Sequence, residues 1–142
     1  MVDSPDPVVV IYSLAQAIAA LRASAAIERP VLLASAPDAG SSVGPGWFAA
    51  LVSAAREAVP AARFSGLLDC SDNVGAALAA IRAEVEGVIF TGRSDVARRL
   101  ADMARQHGVT FENRRPQRAL DLGEDFFASP QDLERRCGEF LG

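Results

Sequence analysis

Short runs of β-branched and apolar residues alternate with Ala-rich helical segments along most of the chain. The first helical segment shows the pattern, because Leu14, Ile18, Leu21 and Ala25 follow one another at spacings of three and four. This alternation is typical of βα units that form a parallel sheet. The predicted strands cover residues 8–12, 30–34, 64–70, 88–91 and 109–112, and the predicted helices cover residues 14–27, 47–59, 74–85, 94–106 and 130–140.

The predicted strands carry apolar residues on both faces, as when Val8 and Val10 alternate with Val9 and Ile11. A sheet with two apolar faces is usually covered on both sides. We therefore predict one α/β domain over residues 1–142: a five-stranded parallel sheet of βα units with helices on both faces. The alternative is an open sheet that resembles half of a TIM barrel. The fifth strand is the most polar and is expected at an edge.

The absence of Lys and the small number of His and Cys residues exclude several classes of enzyme. All 14 basic residues are Arg, and the absence of Lys excludes Schiff-base and PLP-linking lysines and the lysine of a P-loop. One histidine, His107, and two distant cysteines, Cys70 and Cys137, are too few for a His-rich metal site or a Cys-rich zinc cage. We expect neither a metal nor another cofactor.

Charge and hydropathy limit the partners and the location. A formal net charge of −4 argues against nucleic acid as a partner. No apolar run approaches the roughly 18 residues of a membrane helix, so no membrane partner is expected. Asp3 and Pro5 stand where a signal peptide would carry basic and apolar residues, and a cytoplasmic location is therefore expected.

Asp69 ends the predicted third strand, at the edge where parallel α/β proteins place functional groups. A carboxylate there could act as a catalytic base or bind a ligand hydroxyl. It could equally accept backbone N–H groups of the following turn. In that turn Ser71 and Asn73 are candidate ligand contacts, and capping of the next helix is the competing explanation.

The turn Thr91, Gly92, Arg93 and Ser94 is the best candidate for an anion site. Glycine permits close approach of the backbone, and a helix N-terminus presents free N–H groups beside an arginine. The alternative is an ordinary βα turn in which Ser94 is the N-cap. Residues 35–46 are predicted to form a flexible loop, and the basic run is predicted to pair with the acids that follow it: Arg114, Arg115 and Arg118 with Asp121, Glu124 and Asp125.

An ordered series of segments between Leu14 and Glu112 resembles the first half of the (βα)8 barrel of class II fructose- and tagatose-bisphosphate aldolases. The segments are residues 30–33, 67–70, 88–92 and 108–112. The resemblance implies a barrel-related shape. In that family a His-x-Asp-His segment contributes to a catalytic zinc site.

The zinc site of that family is degenerate here. The segment Leu67-Leu68-Asp69-Cys70 keeps the acid–base Asp as Asp69, but Leu67 and Cys70 stand at the two His positions. The substrate-binding Ser position is Ala36, with Ser35 one residue away. Thr91 stands where the family has an Asp before its glycine. Arg114 stands where the family has the second Glu of a Glu-x-Glu pair. The resemblance therefore implies neither a zinc-dependent nor a Schiff-base aldolase.

The sequence favours a small non-catalytic α/β protein that binds a small anionic, phosphorylated metabolite or a protein partner. One alternative is a metal-independent aldolase- or isomerase-like enzyme that uses Asp69. Another is a structural subunit that completes a barrel by self-association. A homodimer is expected.

Overall fold

All the strands of the structure are parallel and belong to one sheet. The computed structural model describes residues 6–142, in which six strands lie in the order β5-β4-β3-β2-β1-β6. The strands are β1 (Val8–Ile11), β2 (Val31–Ser35), β3 (Phe64–Asp69), β4 (Gly87–Ile89), β5 (Thr110–Glu112) and β6 (Ala119–Asp121). The helices are α1 (Leu14–Ala26), α2 (Ala39–Ser42), α3 (Gly44–Ala58), α4 (Val74–Arg82), α5 (Ser94–Gln106) and α6 (Pro130–Leu141). The parallel α/β sheet and the edge position of β5 confirm the prediction.

The predicted number of strands, five, is wrong. The sixth strand, β6, pairs with the free edge of β1, with Val8 beside Ala119 and Val10 beside Asp121. β6 has only three residues and follows a polar, Arg-rich run, so it carries no periodic pattern of its own. Its position depends on pairing with β1, at the opposite end of the sequence.

The prediction of helices on both faces is also wrong, and the half-barrel alternative describes the arrangement. The long helices pack in the order α6, α1, α3, α4, α5 against one side of the sheet. Strands β1 to β5 follow one another in space as in sequence, so right-handed crossovers in one direction place the helices that connect them on the same face. The α6 helix joins this layer by packing along α1. The second apolar face of the strands belongs to a separate cluster, which we call the inner face: Val8, Val10, Leu32, Ala34, Leu67, Ile89 and Ala119.

The inner face is crossed by a segment of the chain. Residues 113–118, which we call the strap, connect β5 at one edge of the sheet to β6 at the other. The strap lines two cavities together with inner-face residues. One, of about 220 Å³, lies towards the carboxyl ends of the strands, and the other, of about 370 Å³, lies over Val8, Leu32 and Leu67. The strap therefore covers part of the sheet face that helices would cover in a doubly wound fold.

A buried glutamine attaches β6 and α6 to the rest of the fold. Gln16 on α1 is fully buried, its Oε1 accepts from the Tyr12 N–H at 2.7 Å, and its Nε2 donates to the Leu122 carbonyl at 2.8 Å. Two backbone groups 110 residues apart in sequence are thereby satisfied by one side chain. The α6 helix completes this attachment by packing along α1.

Residues 35–46 contain more regular structure than predicted. The short helix α2 occupies part of the segment, and α3 begins at Gly44 rather than at residue 47. Gly44 has a φ of 83°, a left-handed conformation that glycine adopts without strain, and Pro45 follows in the first turn of α3. No helix of residues 6–142 is long and apolar enough to cross a membrane.

Candidate functional site

Asp69 is the centre of a polar cluster at the carboxyl ends of the strands. It is the last residue of β3 and is 2% exposed. Its Oδ1 accepts from the backbone N–H of Ser71 at 2.9 Å and of Asp38 at 3.1 Å. Ser71 and Asp38 both have left-handed φ angles, 52° and 62°. The carboxylate therefore organises the loops after β2 and β3.

Arg115 of the strap supplies the other hydrogen bonds to the Asp69 carboxylate. Its Nε lies 2.7 Å from Oδ2 and its Nη2 lies 3.1 Å from Oδ1, so the guanidinium binds both oxygens. The hydrogen bond with Asp69 raises the pKa of Arg115, despite the opposing effect of burial. A bidentate pair of this kind is short and directional. It anchors the strap to the middle of the sheet.

The predicted pairing of the basic run with the following acids is wrong. Arg115 binds Asp69, while Asp125 is paired with Arg136 on α6, at 3.3 Å. Asp121 accepts from the Tyr12 hydroxyl at 3.2 Å. Burial, followed by the hydrogen bond to Asp121, raises the pKa of Tyr12 to about 12. Long-range contacts thus replace the local ion pairs that the sequence indicated.

Two of the predicted ligand residues contact Asp69. The Ser35 hydroxyl, at the end of β2, accepts from the Asp69 N–H at 2.8 Å and donates to the Ala36 carbonyl at 3.1 Å. Ser71 donates its N–H to the Asp69 carboxylate and accepts the Thr91 N–H at 2.8 Å on its carbonyl. Both residues hydrogen-bond to Asp69, and the Ser35 hydroxyl already uses its proton in the bond to Ala36.

Asn73 has the capping role that competed with ligand binding. It is the N-cap of α4, and its Oδ1 accepts from the Ala76 N–H at 2.9 Å. Its Nδ2 donates to the Ser41 hydroxyl at 2.9 Å, and the Ser41 hydroxyl donates to Asp38. Asn73 therefore connects α4 to α2, beside the loop that reaches Asp69.

The turn from Thr91 to Ser94 lies at the same end of the sheet but differs from its prediction. Ser94 is the first residue of α5, so the N-cap is Arg93, and no side chain caps the helix. The Arg93 guanidinium bonds both oxygens of Asp95, at 3.2 and 3.0 Å, and its side chain is 82% exposed. Gly92 is required for space, since a Cβ there would lie 2.4 Å from the Phe90 ring.

Leu67 and Cys70, which the sequence resemblance places at metal-ligand positions, do not fit a zinc ion. Leu67 offers no donor, and Cys70 is fully buried. Burial, assisted by the charges of Asp69 and Asp38, raises the pKa of the Cys70 thiol to about 12, so the sulfur remains protonated. Zinc binds the thiolate rather than the thiol. Within residues 6–142 no three His, Cys, Asp or Glu side chains converge as metal ligands.

The cavity of about 220 Å³ is the opening of this site. Its walls are mostly apolar, with Asp69, Arg115 and Asp121 as the charged groups. The role of Arg115 could not be predicted from the sequence, because no local pattern predicts a partner 46 residues away. The roles of Asp38 and Tyr12 could not be predicted either, because they are loop and strand-end residues without a motif.

Comparison with known proteins supports the fold. No protein-family model and no curated protein matches the sequence. Among solved structures, a Coccidioides immitis protein named as a fructose-1,6-biphosphate aldolase is similar, with 16% identity and a TM-score of 0.55. The match covers 75% of this chain and 44% of that chain, so this chain spans less than half of that structure. The similarity shows an aldolase-like fold of the TIM-barrel type.

Proposed function

We propose that the protein is a non-catalytic module, built on an aldolase-like half-barrel, that binds a small anionic metabolite. The observation that carries the proposal is the engagement of Asp69 in the fold. Its Oδ1 accepts three N–H groups, from Asp38, Ser71 and the Arg115 Nη2, and its Oδ2 accepts the Arg115 Nε–H. A general base must reach the substrate proton that it abstracts, and these four contacts hold the carboxylate towards the loops and the strap. We infer that Asp69 holds the strap in place and does not act as a general base.

Neither His107 nor Cys70 gives Asp69 a catalytic partner. His107 follows the last residue of α5, and its Nδ1 lies 3.2 Å from a carboxylate oxygen of Glu84, just after α4. Helices of βα units end at the amino ends of the strands, so this pair lies at the opposite end of the sheet from Asp69. The Cys70 thiol is protonated, as described above.

The arginines of the strap support an anionic ligand. Arg115 is bound to Asp69, whereas Arg114 and Arg118 form no ion pair with another residue of the 6–142 range. Both line the cavity of about 370 Å³, which falls within the roughly 300–1,000 Å³ of small-molecule sites. Asp6 and Glu112 line the same cavity. We therefore place the ligand's anionic group on the strap side, near the two guanidinium groups.

The turn from Gly92 to Ser94 is a second, weaker candidate for a phosphate group. The first turn of α5 has free N–H groups and the positive end of the helix dipole. Asp95 already occupies the Arg93 guanidinium and opposes an incoming anion. We therefore expect millimolar affinity there, on the order of 4 kcal/mol of binding free energy.

An NMR titration tests the binding function. Inorganic phosphate and dihydroxyacetone phosphate are added to the isotope-labelled full chain at millimolar concentration. We expect amide shifts in the strap that weaken in Arg118→Gln, and shifts at 92–95 that weaken in Arg93→Ala. Arg22→Gln is the matched control, because Arg22 is an exposed residue of α1. Absence of shifts in both regions would overturn anion binding.

A deuterium-exchange assay tests the absence of catalysis. The protein is incubated in D₂O with dihydroxyacetone phosphate or fructose 1,6-bisphosphate, and proton NMR follows exchange and cleavage. We expect spectra identical to those of the substrate alone. Exchange or cleavage that is lost in Asp69→Asn would contradict the proposal and favour the enzyme alternative.

A further inference from the structure

We propose that two copies of this chain associate through the free edge of β5, as an antiparallel two-fold pair centred on Phe111. The proposal is independent of the proposed ligand. It concerns the open side of the half-barrel, where β5 has a strand neighbour on one side only. The sequence favoured a homodimer without locating its interface, and the structure provides a specific surface.

The backbone of β5 has free hydrogen-bonding groups at one residue of the strand. The Thr110 N–H donates to the Glu86 carbonyl at 3.0 Å, and the Glu112 carbonyl accepts the Phe90 N–H at 2.9 Å. These residues face β4, and successive residues of a strand direct their backbone groups to opposite sides. The N–H and C=O of Phe111 therefore point to the free edge, without a neighbouring strand among the residues described.

This pattern is complementary to itself. In an antiparallel pair, two residues that face each other exchange both of their N–H···O=C bonds. A two-fold axis beside Phe111 makes it face Phe111 of the second copy, so both free groups of each chain are satisfied. The same axis places Thr110 opposite Glu112 of the second copy, where the hydroxyl can donate to the carboxylate.

The helix layer beside β5 leaves room for a second copy. A groove of about 590 Å³ lies between α5 and β5, and it is lined by small side chains, Ala97 and Ala101, together with Phe111. The groove also contains the charged residues Arg98 and Glu112. Small residues on facing helices permit their close approach, so α5 of each copy can lie beside the other.

The charges of α5 are also complementary under an antiparallel arrangement. If two α5 helices meet around residue 100, Arg98 lies opposite Asp102 of the second copy. Asp95 then lies opposite Arg105 of the second copy. Association would therefore exchange the pairs that Asp95 forms with Arg93, and Asp102 with Arg105, for pairs between the copies. Arg98 forms no ion pair within the described part of the chain, so its charge is available. Like charges do not face each other in this register.

Sedimentation equilibrium of the full chain tests the pairing. We expect a mass of twice 14.9 kDa for the wild type and a monomer for Ala101→Arg, which fills the groove with a charged side chain. Ala50→Arg, at an exposed position of α3, is the matched control and should remain a dimer. A wild-type monomer at millimolar concentration, or an unchanged Ala101→Arg dimer, would overturn the proposal.

Charge-reversal variants and the hydrogen-exchange rate of the Phe111 amide test the register of the pairing. Arg98→Glu and Asp102→Arg should each weaken association, and the double variant should restore it. The Phe111 amide should exchange with D₂O slowly in the dimer and faster on dilution, because only the second copy supplies its acceptor. Fast exchange of that amide in a proven dimer would assign the dimer to another surface and reject this one.

Discussion

Arg115 and Asp69 are 46 residues apart in sequence, and the Arg115 Nε lies 2.7 Å from the Asp69 Oδ2. This contact joins the strap to the end of β3. The Asp69 carboxylate is thus a structural acceptor in this fold. The two cavities beside the strap exist because the strap is held across the inner face.

Gln16→Leu should lower the free energy of unfolding by about 2–3 kcal/mol, because the Tyr12 N–H and the Leu122 carbonyl lose their partner in a buried place. Gln131→Leu, at an exposed position of α6, is the control and should be nearly neutral. Urea unfolding gives both values. Hydrogen exchange should show faster opening of α6 in Gln16→Leu, and equal stabilities of the two variants would contradict this role.

Gly40→Ala should destabilise the fold by about 1–3 kcal/mol through overpacking. The new Cβ would lie 2.7 Å from the Cys70 Sγ and 3.2 Å from the Cys70 Cα. Gly46→Ala should be stabilising by up to about 1 kcal/mol, since a Cβ there meets nothing within 4 Å in a helix. Thermal unfolding compares the two variants. Adding Cys70→Ala should recover part of the Gly40→Ala loss, and the absence of any recovery would refute the contact.

Stability should fall as the pH rises above about 9. Burial raises the pKa of Cys70 to about 12 and that of Cys137 to about 11, from the usual 9.0. The unfolded chain therefore loses these protons first, and the stabilisation present below pH 9 disappears as the pH approaches the folded-state values. Each thiol contributes up to about 1.4 kcal/mol per pH unit.

Urea unfolding between pH 8 and 10.5 measures this slope. The chain has no Lys, and its one Tyr, Tyr12, has a pKa raised from 10.0 to about 12, so Tyr12 adds a slope of the same sign from about pH 10 upwards. Cys137→Ala and Cys70→Ala should each flatten the slope, whatever their effect on stability at pH 8. A slope identical to that of the wild type would show that the thiols are not its source.

The sequence predicted the elements of the sheet more accurately than their arrangement. Apolar runs and helical spacing located β1 to β5 and the long helices, and Asn73 and Ser129 cap α4 and α6 as their residue types indicate. The position of β6 could not be predicted, because it depends on pairing with β1 across the length of the chain. The apolar residues of the inner face also led to the wrong prediction of helices on both faces, since apolar alternation does not distinguish a helix layer from a strap.

The candidate site was predicted in part. Asp69 ends its strand as expected, and Ser35 and Ser71 gather around it. Its main partner, Arg115, was assigned to nearby acids because charge patterns reveal only local pairs. The anion contacts at Thr91 to Ser94 stay a prediction, and Ser94 is displaced from the capping position that the sequence suggested.

A double-mutant cycle on Asp69 and Arg115 tests the central claim most directly. The free energy of unfolding in urea is measured for the wild type, Asp69→Asn, Arg115→Gln and the double variant. Asp69 is buried and Arg115 is 43% exposed in its side chain, so we expect a coupling of about 2 kcal/mol, between the ~0–1 of exposed pairs and the ~3–5 of buried ones. If the losses of unfolding free energy in the two single variants add up, within about 0.5 kcal/mol, to the loss in the double variant, the claim that this pair holds the strap is contradicted.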